Sequence, residues 1–123
     1  MDRTINIDGR EVKFRATART PRLYRGLVGR DMIRDMAQLR KAYKTVLESP
    51  EEERSEAFLS VADLEIFENA AYTMARHANP DILEKTADDW LDTFNMFSIY
   101  EILPQLIELW AINEKTTSTP KKK

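Results

Sequence analysis

The side chains able to do chemistry in this sequence are few in kind. Asp88, Asp89 and Asp92 stand close enough to be weighed as metal ligands or as an acid–base pair, with Asp88 and Asp92 on one helix face. No Gly-rich calcium loop, second histidine or cysteine accompanies them, and carboxylates in the first turn of a helix complement its dipole, which is how we read them. Asp63, Glu65 and Glu68 read as the wet side of a helix whose other side is Leu64 and Phe67. His77 is the single histidine, and no Ser or Thr sits in a nucleophile elbow that it might serve. One histidine cannot supply the two-histidine zinc helix, and a sequence without cysteine has no disulfide, thiol nucleophile or cysteine-held metal. Gly26-x-x-Gly29 is not a phosphate-cradling loop. No catalytic, cofactor-binding or metal-binding residue is therefore assigned, and the expectation is a binding protein rather than an enzyme.

The cations are more informative. Arg19, Arg22, Arg25, Arg30, Arg34, Arg40, Lys41 and Lys44 crowd one stretch, and the near-neutral net charge of -2 hides the imbalance. Residues 1–47 carry twelve Lys/Arg against five Asp/Glu, residues 48–114 carry three against sixteen, and residues 115–123 add four lysines. Such a bipolar chain suits a nucleic-acid-binding half, two mutually attracting faces of one fold, or head-to-tail association between copies. Asp31 and Asp35 interrupt the basic row, Tyr24 and Tyr43 fall on apolar stripes, and the remaining chain repels phosphate. Arg22, Arg25, Arg30 and Arg34 are accordingly expected to form a partner or self-association surface. The alternative is a small nucleic-acid-binding regulator that uses Arg19 to Lys44.

The elements that must position these residues follow from patterning. TINIDGREVKFRA (residues 4–16) alternates apolar and polar around Asp8-Gly9, which suits a two-residue type I′ hairpin with Ile7 opposite Arg10 and Ile5 opposite Val12. Ile5, Ile7, Val12 and Phe14 then share a face that needs cover from helices or from another copy. Thr20-Pro21 opens a helix over 21–28 that stops near Gly29. A helix over 30–48 carries Met32, Met36, Leu39, Tyr43 and Val46 as its inner stripe. Ser49-Pro50 and Glu51 to Glu53 break the chain before a helix over 55–78 with Leu64, Phe67, Ala71, Met74 and Ala78 on one stripe.

Thr86, with Asp89 three residues on, opens a helix over 86–95 with Trp90, Leu91 and Phe94 apolar. Ser98 and Glu101 form a capping box for the last helix, 98–113, which is apolar nearly all round and so reads as buried. Its Pro104 predicts a bend or a restart, and Glu101, Pro104, Gln105 and Glu108 break up the densest apolar run, so no membrane span is expected. Met1 to Ile5 is charged with no apolar run behind it, so no signal peptide is expected, and the protein reads as cytosolic. The fold expected is mainly α: an N-terminal β-hairpin, four or five helices in one domain over 1–114, and a disordered basic tail over 115–123.

Three stretches taken together resemble a known family. RATARTPRLYRGLVGRDMIRDM (residues 15–36), WLDTFNMFSIYEILPQLIELW (residues 90–110) and the terminal TTSTPKKK look like the tail assembly chaperones of long-tailed phages and prophages of Gram-positive bacteria. The resemblance implies a helical, cofactor-free protein of the bacterial host cytoplasm, absent from the mature virion, that coats the tape measure protein and helps recruit tail tube subunits. It implies a homo-oligomer, no membrane partner, and a longer product made by ribosomal frameshifting near the end of the frame. Lys121, Lys122 and Lys123 add a hint of their own, since AAA and AAG codons in succession make an A-rich run on which a ribosome slips.

Overall fold

The computed structural model describes residues 1–48 and 59–118, with side chains as far as Ile112. It is a mainly helical domain led by an antiparallel hairpin, β1 Asp2–Ile7 and β2 Arg10–Arg15. Asp8 at φ 56° and Gly9 at φ 79° form the turn, as a type I′ connection requires, and Ile5 faces Val12 and Ile7 faces Arg10. Whether the hairpin finds its cover at home is answered here: β2 lies on the third helix and β1 on the fifth, which buries Ile5, Ile7 and Phe14.

Helix α1 (Thr20–Val28) starts one residue before the expected position. Thr20 is inside it rather than capping it: its hydroxyl accepts from the Thr17 N–H at 2.8 Å and meets Nδ1 of His77 at 3.1 Å. Gly29 at φ 80° ends the helix, its N–H donating to the Arg25 carbonyl, because a left-handed residue there costs least when it has no Cβ. Helix α2 (Met32–Glu48) begins two residues later than 30, since the Asp31 carboxylate accepts from the N–H groups of Ile33 and Arg34 and so marks the helix entrance. Met32, Met36, Leu39 and Val46 are buried as the stripe predicts, and Tyr43 is half-buried.

Helix α3 (Val61–Ala78) is the central element, touching β2, α1, α2 and α4 (Ala87–Leu91). It starts at Val61 rather than 55: the Ser60 hydroxyl accepts from the Asp63 N–H while the Asp63 carboxylate accepts from the Ser60 N–H, a reciprocal cap that fixes the first turn. Ser49, Pro50, Glu51 to Glu53 and the predicted helix start lie outside the described residues. Ile66, Phe67, Ala70 to Ala75 are all buried, a wider surface than the single stripe expected, because three helices and a strand surround this one. Asp63 is buried too, accepting from the Gln38 side chain at 2.9 Å, so it is not on the wet side with Glu65.

Helix α4 is five residues long instead of ten; the Thr86 hydroxyl accepts from the Asp89 N–H, and Thr93 and Phe94 close the end by donating to the carbonyls of Trp90 and Leu91. Trp90 sits at the centre of an aromatic cluster, with ring centroids of Phe94, Phe97, Tyr72 and Phe14 at 5.1, 5.5, 5.8 and 6.5 Å. Helix α5 (Ile99–Ser118) runs through Pro104 without restarting; the Gln105 side-chain amide donates to the Glu101 carbonyl in the turn that the proline disturbs. The Ser98 carbonyl accepts from the Ile102 N–H, but no side-chain bond joins Ser98 to Glu101 among the described residues. The expected tail from residue 115 is helical as far as Ser118, and 119–123, including Lys121, Lys122 and Lys123, lie outside the described residues.

Candidate protein-binding surface

The four arginines expected to act together divide into two roles. Arg22 and Arg25 are three residues apart on α1, whose inner side is Thr20 and Tyr24, and both stand in solvent with no ion pair to any described residue. Arg34 is likewise exposed on α2. Arg30 is different. Its Nε and Nη2 donate to the two carboxylate oxygens of Asp35 at 2.7 and 2.8 Å, and the Tyr24 hydroxyl donates to Asp35 Oδ2 at 2.8 Å.

Asp35 is 1% exposed although its helix presents mostly apolar residues on that side. The Arg30 hydrogen bonds hold its carboxyl below the usual carboxylate range despite burial, and burial with the adjoining carboxylate pushes the Tyr24 hydroxyl well above its ordinary value. The pair is bidentate, the form in which an arginine holds a carboxylate most firmly, and it clamps the α1–α2 corner. Asp35 thus removes one cation from the expected surface and fixes the angle at which the others are displayed. A tyrosine on an apolar stripe, eleven residues from an aspartate on another, was the visible signal for this site.

The carboxylates do not converge on a catalytic geometry. Asp88 and Asp89 stand exposed in the first turn of α4. Glu68 is half-buried, and burial, followed by Asp88 and Glu65, pushes its carboxyl above the ordinary value. An acidic patch therefore lies where α3 meets α4. Among the described residues no three His, Asp or Glu side chains stand together as metal ligands. His77, half-buried at the end of α3, has its basicity lowered by burial and by Arg15 and Arg19 nearby.

An open groove of about 460 Å³ lies between the hairpin turn and the start of α5, lined by Ile7, Asp8, Met96, Phe97, Glu101 and Ile102 among others. Asp8 there accepts from the Asn95 N–H at 2.9 Å, and the Arg10 guanidinium lies 4.0 Å over the Phe94 ring, so the turn is tied to the α4–α5 connection. Large apolar side chains remain in water: Ile33 is 56% exposed, Tyr100 52% and Met96 70%. Among the described residues no helix is long and apolar enough to cross a membrane. No family model matches the chain, and no curated protein and no solved structure is significantly similar to it.

Proposed function

We propose that this protein is a tail assembly chaperone of a long-tailed phage or prophage, binding the tape measure protein and promoting tail tube assembly around it. The observation that carries the reading is the presence of exposed cations on α1 and α2, Arg22, Arg25 and Arg34, with no ion pair among the described residues, together with large apolar side chains held in solvent. Such surfaces suit a partner that is itself a protein, and the likeness of residues 15–36 and 90–110 and of the terminal residues to that family names the partner. In this reading the protein works without cofactor or catalysis, in the host cytoplasm, and leaves before the virion is complete; the major tail tube protein is a second partner. A longer product arises by frameshifting at the codons of Lys121, Lys122 and Lys123.

Co-expression tests the proposal. With the tape measure protein of the same genome, this chain raises that protein's soluble yield and co-purifies with it; no gain and no co-purification defeat the reading. The exposed arginines also suit phosphate, so gel retardation at low salt is the companion measurement: nucleic acid shifted there by the wild type and released by Arg22→Ala with Arg25→Ala favours the regulator instead.

A further inference from the structure

We propose that the free edge of β1, with the groove beside it, docks an extended segment of a partner protein in which an apolar side chain lies between two cations at alternate positions. The register of the hairpin places that edge. Met1 and Ala16 exchange both backbone hydrogen bonds, at 2.9 and 3.0 Å, and Ile7 faces Arg10 across the two-residue turn. Bonded pairs alternate along an antiparallel ladder, so Arg3, Ile5 and Ile7 turn their N–H and C=O groups toward β2, while Asp2, Thr4 and Asn6 turn theirs the other way. Among the described residues no group bonds to the backbone N–H or carbonyl of Thr4 or Asn6, and both residues are exposed. Proteins shield such an edge with lysine, proline or a bulge. Thr4 and Asn6 are uncharged, β1 has no proline, and its pairing runs one to one from Asp2 to Ile7.

The groove shows what kind of segment fits. It opens alongside Asn6, Ile7 and Asp8, and Met96, Phe97 and Ile102 supply its apolar part. In an added antiparallel strand the residues bonded to Thr4 and Asn6 project to solvent as those two do, and the residue opposite Ile7 projects as Ile7 does, toward the groove. An apolar side chain there covers Met96, now 70% exposed. The polar groups beside it are acidic. Asp8 and Glu101 line the groove, Glu101 is exposed with no ion pair among the described residues, and no Lys or Arg occurs between Lys85 and Lys115. Cations two positions to either side of the apolar residue therefore meet carboxylates, which selects a basic segment over an acidic one or a nucleic acid. The main-chain bonds give affinity and the alternate side chains give specificity. The opposite edge, on β2, fits less well: its crevice of about 290 Å³ mixes Arg10 and Lys13 with Glu11 and Glu84, and Arg10 is tied to Thr93. The proposal does not rest on the chaperone reading, since it requires the chemistry of the segment and no tape measure protein.

Nuclear magnetic resonance of the full chain with a capped peptide, Thr-Lys-Thr-Ile-Thr-Lys-Thr, tests it. In the free protein the amide hydrogens of Thr4 and Asn6 exchange fast and those of Ile5 and Ile7 slowly. The peptide binds saturably with a Kd below about 1 mM, moves the resonances of Thr4, Asn6, Met96 and Glu101, and at saturation slows exchange at Thr4 and Asn6 at least about fivefold. N-methylation of the peptide's threonines removes the ladder and leaves the protein untouched; replacing the peptide's lysines with glutamate, or Glu101→Lys in the exposed rim, reverses a charge. Each change weakens binding at least about fivefold. No saturable binding, binding that N-methylation leaves unchanged, or a peptide that protects neither Thr4 nor Asn6 overturns the proposal. Amides of Thr4 and Asn6 already protected in dilute free protein overturn it by giving the edge to this chain itself, and protection that grows with protein concentration alone overturns it by giving the edge to a second copy.

Discussion

Asp35 keeps its charge on the inner side of α2 because Arg30 and Tyr24 together satisfy it, and removing either partner has a different cost. Tyr24→Phe deletes one hydrogen bond to a charged acceptor, about 1.5–3 kcal/mol by urea unfolding. Arg30→Ala costs more, since it leaves a buried carboxylate without its counter-ion. Arg22→Ala and Arg25→Ala leave the unfolding midpoint in place and weaken partner binding, which separates the display arginines from the structural one. His77 governs a pH response. Its folded pKa lies below the ordinary histidine value of 6.5, so the unfolded chain takes up the proton first. Stability is therefore full above that value and falls as pH drops through it toward the folded value; His77→Gln flattens the dependence of the melting temperature over the same window. That Thr20 and His77 meet was not legible in the sequence, because 57 residues separate them and only the packing of α1 on α3 joins them.

At the scale of elements, local chemistry set what was readable. The Asp8-Gly9 turn fixed the register of the hairpin, and the apolar spacing of α2 marked its inner side, because both signals act within a few residues. Where a cap competed with a plausible earlier start, the cap prevailed. Ser60 and Asp63 begin α3 at Val61 and Asp31 delays α2 to Met32, short polar side chains that the apolar pattern does not reveal. Ser60→Ala removes half of the reciprocal cap and costs about 1 kcal/mol in chemical unfolding with no change in the aromatic near-ultraviolet signal of the Trp90 cluster. The outward side of α5, where Tyr100 is exposed and Ile107 half-buried, departs from the expected burial for a different reason: periodicity reports that a face needs cover, and it does not say whose.

The whole molecule is electrically divided, and the fold uses only part of that division internally. Among the described residues, Arg3 meets Glu108, Arg15 meets Asp2 and Arg30 meets Asp35, while Arg22, Arg25 and Arg34 remain outward. Exposed ion pairs contribute little to stability, so the surplus of cations in residues 1–47 and of carboxylates in residues 48–114 matters more for what the molecule meets than for how it folds. The candidate surface was legible as charge but not as shape, since Arg30 is set apart from its neighbours by its bonds to the buried Asp35, at which the spacing of Tyr24 and Asp35 on apolar stripes only hints. The proposed chaperone role needs a protein partner that accepts many copies. Native mass spectrometry of the complex isolated through a tag on the tape measure protein measures this directly: several copies of this chain held per tape measure chain is the predicted result, and a tape measure protein recovered with no copy bound contradicts it.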